Sequence, residues 1–275
     1  MRFDESQIDW LADLLRDTAG KEIMPRFRRL EEGAIRQKTS AADLVTEADV
    51  AAERVITEAL RARYPDALVV GEEACTDNPS LLSGLGEAPL AFVIDPIDGT
   101  FNFASGVPLF GVMLAVVAGG ETVAGIIHDP VGGDWLIGAK GAGSHVRRPD
   151  GHLTRVRVAS PVAVSQMTGS ISWQFLAEPE RSRLARNHAK CLSQVGYRCA
   201  AHEYRLVAQG HAHFAVYAKL MPWDHLGGAL IHTEAGGHVA RFDGNAYKPF
   251  HLDGGLMTAP DRESWNELRR ELWSD

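Results

Sequence analysis

The sequence predicts a mixed α/β fold, and three observations carry that prediction. Stretches with helical spacing alternate with short apolar runs of strand character. Several of those runs fall between residues 90 and 137 with glycines between them, as in an antiparallel meander. The spacing lacks the regularity of a barrel, and no internal repeat is present. With 275 residues, 45% hydrophobic and 23% charged, the composition is ordinary for a globular chain. That length can bury a large core and lies near the size at which one domain becomes two closely packed ones.

At the start, Ile8, Leu11, Leu14, Leu15, Ile23 and Met24 recur at helical spacing. A second helix is predicted over 47–63, with Val50, Val55, Ile56 and Leu60 on its buried side and Thr46 and Asp49 as a capping box. Residues 67–70 read as a short strand leading into Gly71-Glu72-Glu73, and 78–89 as a loop holding one short helical turn. Strands are then expected at 90–94, 111–117, 122–128 and 134–137. The run 138–160 is polar and Gly-rich, with a hairpin through Pro149-Asp150-Gly151. It places a subdomain boundary near residue 155, dividing an α+β part (1–155) from an α/β part (156–275). Beyond it the pattern predicts a strand at 164–168, a helix at 179–195, a short strand near Tyr197 and a helix at 202–209. A strand at 212–218 follows, then helices at 224–234, stopped by Gly236-Gly237, and at 260–272.

A net charge of -8 argues against binding a nucleic-acid polymer, which requires a basic footprint. A small phosphorylated metabolite is compatible, because a bound metal inverts the local potential. Cys75, Cys191 and Cys199 are far apart and lack CxxC spacing, as expected of reduced thiols in a cytoplasmic protein. The N-terminal residues carry acids throughout, so neither a signal peptide nor a membrane anchor is expected. The longest apolar stretch, 107–118, is much shorter than the roughly 20 residues that span a bilayer.

The chemistry concentrates in Asp95-Pro96-Ile97-Asp98-Gly99-Thr100, where two carboxylates fall at the expected end of a strand. Pro96 fixes the local backbone so that Asp98 can return to the pocket of Asp95. Gly99 permits close approach of an oxyanion, and the Thr100 hydroxyl can hold phosphate or orient water. Hard oxygen ligands of this kind suit Mg²⁺, with the Ile97 carbonyl as a further ligand. The same residue types also make an Asx-type turn. Glu72, next to Glu73, follows a strand, and Asp224 stands at a predicted helix start as either N-cap or metal ligand. Asp49 is fully explained by its capping box. His211-x-His213 lacks a third ligand at zinc spacing.

Together the motifs Asp43-Leu44-Val45-Thr46-Glu47-Ala48-Asp49, Gly71-Glu72-Glu73, Asp95 to Thr100 with Asn102-Phe103, and Trp223-Asp224 followed by Glu234-Ala235-Gly236-Gly237 resemble those of the inositol monophosphatase family, in order, over residues 38–237. The resemblance implies a layered α/β/α/β sandwich and a Mg²⁺-dependent, Li⁺-sensitive phosphomonoesterase using two or three Mg²⁺ ions, commonly as a homodimer. It implies that Glu72, Asp95, the Ile97 carbonyl, Asp98 and Asp224 hold metal. Most ligands then lie within 1–155, while 156–275 carries Asp224 and the substrate-selecting residues. Gly99 and Thr100 resemble the phosphate cradle, and Lys38 matches a basic residue near the active-site loop. The same resemblance implies Asp49, Thr100 and Glu72 as the catalytic set, the first two as the pair that activates water.

Substrate choice departs from the family pattern. Inositol-selective members tend to carry a glutamate where this chain has Tyr217, and a glycine-serine or glycine-threonine step is replaced by Arg198-Cys199-Ala200. Arg198 or Arg205 is a candidate clamp for a second anionic group, and His202 or Glu203 for hydroxyls or an amine. Against these stands a solvated helix face. The alternative substrates are histidinol phosphate, fructose 1,6-bisphosphate and 3'-phosphoadenosine 5'-phosphate. A non-catalytic regulatory or scaffold protein that retains the fold is the alternative of another class.

Overall fold

The structure is a computed structural model that describes residues 3–30, 35–40 and 43–275. Helix α1 (Glu5–Thr18) begins in a reciprocal cap between Asp4 and Gln7, and its buried stripe of Leu11, Ala12 and Leu15 sets its core face. One turn of π-helix at Ala19–Ile23 extends it. A hairpin of β1 (Ile35–Ser40) and β2 (Asp43–Thr46) leads into α2 (Glu47–Arg63), whose capping box joins Thr46 to Asp49 as expected. The helix buries Ala48, Ala52, Ile56 and Leu60, but Val50 is 43% exposed and Glu53 is buried, so the apolar stripe is rotated from the one expected.

Next come β3 (Leu68–Gly71), α3 (Glu72–Asp77), β4 (Leu90–Asp98), α4 (Thr100–Ala104), β5 (Gly111–Ala118), β6 (Glu121–Asp129), β7 (Asp134–Ala139), β8 (Gly143–Arg147) and β9 (Leu153–Arg155). They form a seven-stranded sheet in sequence order, antiparallel apart from the β3–β4 pair. Both of its faces are covered, which explains the unbroken apolar runs. Phe92, Ile94, Val112, Leu114 and Val116 pack with α1 and α2, while the alternate residues Ala91, Val93, Ala115 and Val117 pack toward Trp223 and Leu226.

The remaining elements are β10 (Thr168–Ile171), α5 (Glu180–Asn187), β11 (Ser193–Gln194), α6 (Ala200–Ala208), β12 (Phe214–Tyr217), α7 (Pro222–Glu234), β13 (His238–Arg241), β14 (Leu256–Ala259) and α8 (Arg262–Leu272). Their strands form a second sheet in the order β11-β10-β12-β14-β13. Helices α6 and α7 lie between the sheets, with α7 against β4 through β7 and α6 against β5 and β12. The four expected α/β/α/β layers are present, and α5 and α8 add a fifth over the outer face of the smaller sheet, covering Leu184, Met257, Trp265 and Leu268. Among the described residues no helix is long and apolar enough to cross a membrane.

Several expectations need correction. The helix expected over 179–195 stops at Asn187, and a 3₁₀ turn then delivers β11, so no strand forms at Tyr197. Residues 164–166 are a 3₁₀ turn, and the strand starts only at Thr168. Strands β1, β2, β13 and β14 and helices α3 and α4 are additional elements.

Candidate metal and phosphate site

Strand β4 does not end at Ile94 but runs through Asp98, and a bulge within it builds the site. Asp95 pairs with Met113 and Asp98 with Gly111, so three residue steps on β4 oppose two on β5. In a regular strand, residues three apart point to opposite faces. One extra residue, at the Pro96-Ile97 step where proline has no donor to lose, resets the alternation and lets both carboxylates share a pocket. Asp95 Oδ1 accepts the Ile97 N–H at 3.0 Å, so the Asx-type turn forms as well as the carboxylate pair.

Oxygen atoms of Asp95, Asp98 and Asp224 lie within 4.8 Å of one another. Asp224 arrives on the first turn of α7, whose N-cap is Met221; the N-cap role for Asp224 is therefore ruled out. Asp98 is anchored by the start of α6: its Oδ2 accepts the Ala201 N–H at 2.5 Å and the Cys199 thiol at 2.9 Å. Burial, reinforced by the Glu72, Asp98 and Asp224 carboxylates, pushes the Asp95 pKa well above the carboxylate range. Burial and Asp224 push Asp98 up to about 7, against the opposing hydrogen bonds from Cys199 and Ala201. Oxygen-only donors that repel one another in a buried site are what a hard divalent cation neutralises. The residues fit Mg²⁺.

A cavity of about 570 Å³ opens over this group. Glu72 lines it beside Asp95, outside the tight three-carboxylate group. Glu72 starts α3, whose first turn is held by Glu53: its oxygens accept the N–H groups of Glu73 at 2.7 Å and Ala74 at 2.8 Å. A Cβ on Gly71 would stand 2.2 Å from the Glu53 carboxyl carbon, so the glycine makes room for this strut. Sequence reasoning missed Glu53; the signal was an acid beside Ala52 and Ile56 on the buried stripe of α2.

Asp49 is buried, and its two oxygens do different things. Oδ2 accepts from the Thr46 N–H at 2.9 Å and hydroxyl at 2.5 Å, while Oδ1 faces the Thr100 hydroxyl at 3.1 Å. That hydroxyl also lies 2.9 Å from the Ile97 carbonyl. Gly99 has φ 89°, and a Cβ there would lie 2.9 Å from the Leu109 carbonyl oxygen, so only glycine suits the turn into α4. Lys38 is on β1, with its side chain outside the described residues.

The substrate-side candidates separate. Arg198, Ala200, Glu203 and Tyr217 line the cavity, joined by Lys219, which sequence reasoning overlooked. His202 does not line it: its Nε2 meets the Phe110 carbonyl at 3.2 Å. Arg205 is also turned away, bound to Asp134 at 2.6 Å. The buried carboxyl of Glu203 touches Ser170 Oγ at 3.0 Å and accepts the Tyr197 N–H at 3.1 Å, and burial pushes its pKa up to about 7.

The inositol monophosphatase family matches residues 4–274. The chain belongs to that family. A fructose-1,6-bisphosphatase/inositol-1-monophosphatase of Thermotoga maritima is 30% identical over 277 residues, covering 97% of this chain and 98% of the relative. Nus factor SuhB of Haemophilus influenzae is 30% identical over 260 residues, 91% of each chain. Among solved structures, an inositol monophosphatase of Zymomonas mobilis superposes with a TM-score of 0.80 at 23% identity, covering 98% of this chain and 99% of that one. An IMPase of Thermotoga maritima gives 0.77 at 26% identity, covering 97% and 95%. The family framework is that of Mg²⁺-dependent phosphomonoesterases, and the acidic group has the donor set and spacing of a divalent-cation site.

Proposed function

We propose that the chain hydrolyses a small phosphate monoester, with Glu72, Asp95, the Ile97 carbonyl, Asp98 and Asp224 holding two or three Mg²⁺ ions. The convergence of Asp95, Asp98 and Asp224 from two separate elements onto one cavity carries the reading. Bound Mg²⁺ supplies a lowered water pKa and stabilisation of the leaving alkoxide. The protein's own part is positional. Asp49, fixed through Oδ2 by Thr46, presents Oδ1 with the Thr100 hydroxyl to align the attacking water. Gly99 leaves the backbone open to a phosphate oxygen. Residues 1–155 supply most of the ligands, and 156–275 supply Asp224 and the substrate-selecting side chains.

Inositol 1-phosphate is one member of the substrate class, and the Thermotoga relative's name adds fructose 1,6-bisphosphate. Histidinol phosphate and 3'-phosphoadenosine 5'-phosphate complete the panel. The test is phosphate release from these four with Mg²⁺ or EDTA. Turnover should require Mg²⁺ and fall by roughly a hundred- to a thousand-fold in Asp95→Asn. Turnover unaffected by EDTA or by the substitution would refute the reading. A second reading, an assembly role without turnover, draws on the relatives named Nus factor SuhB. Absence of both turnover and Mg²⁺ binding would favour it.

A further inference from the structure

We propose that Arg198 selects phosphomonoesters that carry a second oxyanion, a carboxylate or another phosphate, and binds that group at the cavity wall. The inference rests on the phosphatase reading and deepens it. Four observations lead to it.

First, Arg198 lines the same cavity as the acidic group, and its neighbour Cys199 touches Asp98 at 2.9 Å. A group held by Arg198 therefore belongs to the molecule whose phosphate reaches the metal site. Second, Arg198 has φ 53°, in the left-handed region that disfavours residues with a Cβ. Glycine would sit there without strain, and a side chain kept in such a conformation beside a site points to a use for that side chain.

Third, the guanidinium lies 3.7 Å from the centroid of the Phe101 ring. That contact holds the guanidinium over the ring face, where its N–H donors can still serve a planar or tetrahedral oxyanion. Arg205 provides the contrast, since Asp134 at 2.6 Å and Asp129 at 4.0 Å neutralise it. Among the described residues no carboxylate forms an ion pair with Arg198. Fourth, the same cavity holds further groups that can meet an anion. Lys219 lines the cavity as a second cation, and the Tyr217 hydroxyl is buried without a partner.

The experiment compares matched pairs that differ only in the second anion: fructose 1,6-bisphosphate with fructose 1-phosphate, and 2-phosphoglycerate with glycerol 2-phosphate. The quantity read is the ratio of kcat/KM within each pair, together with Kd values measured by calorimetry with Ca²⁺ replacing Mg²⁺. The parent chain should prefer the doubly anionic member of at least one pair. In Arg198→Gly, which suits the backbone conformation and should fold, the preference should fall about tenfold to a hundredfold, mainly through KM. Arg198→Lys, which keeps the charge but lacks the fork, should retain part of it. Equal ratios in parent and Arg198→Gly would reduce Arg198 to a strut on Phe101 and overturn the proposal. No parental preference in either pair, by turnover or by Kd, would overturn it too. Loss of all turnover with the Arg198-dependent affinity gap intact would instead count against the phosphatase reading alone.

Discussion

Asp49 answers two descriptions because a carboxylate has two oxygens. One oxygen closes the capping box of α2, and the other faces Thr100 in the cavity. Sequence reasoning could name both roles but could not combine them, because the angle between Oδ1 and Oδ2 has no meaning until a helix axis is set. Glu203 shows the converse. Its side chain was one of four polar residues at a helix start, and only packing turned it inward while His202 met Phe110 and Arg205 met Asp134. Its titration gives a test. The folded pKa of about 7 lies above the ordinary 4.5, so the fold binds the proton more tightly than the unfolded chain does. Its contribution to stability is therefore complete below the unfolded value and is lost as pH rises through the folded one. The loss should approach about 3 kcal/mol. Urea denaturation at about pH 5 and about pH 8 should show the parent weakening more than Glu203→Gln over that interval. Equal slopes in the two proteins would mean that Glu203 stays ionised.

At the scale of elements, the most consequential feature is the contact of α7 with the large sheet. A Cβ on Gly125 of β6 would lie 2.5 Å from the Gly227 carbonyl oxygen and 2.7 Å from its Cα. These are backbone atoms, which cannot swing away as a side-chain end can. Gly125→Ala should cost about 2 kcal/mol by overpacking. Because Asp224 is carried on the same helix, it should also weaken Mg²⁺ binding, measured by calorimetry on the purified variant. Lost stability with unchanged Mg²⁺ affinity would show that Asp224 is positioned independently of this contact. Long elements were legible: α2 was expected at its observed bounds, and β4 to β7 within a few residues. Strands β13 and β14 have four residues each, too few to develop a period against the surrounding glycines. The bulge in β4 was not legible, because a bulge is a relation to the partner strand.

For the whole molecule, the two sheets clasp α6 and α7, and the acidic group sits where β4, α6 and α7 meet. Mutual repulsion there makes the metal part of the stability balance. Mg²⁺ at about a hundred times its Kd should stabilise the fold by about 2.7 kcal/mol, seen as a thermal transition that EDTA lowers. Asp95→Asn should be at least as stable as the parent in EDTA, since it removes a buried, repelled carboxylate, yet gain little from Mg²⁺. A parent transition indifferent to Mg²⁺ would exclude this linkage.

The sequence by itself determined the α/β class, the long elements, the residue types for oxygen-ligand chemistry and the family resemblance. Periodicity, capping and ordered motifs are local and survive in one dimension. Only the tertiary structure decided that Asp95 and Asp98 share a face, that Glu53 braces α3, and which of the polar residues from Arg198 to Arg205 reach the cavity. Those outcomes depend on strand register and helix rotation, which are set by packing between segments far apart in the chain, such as Asp98 and Ala201.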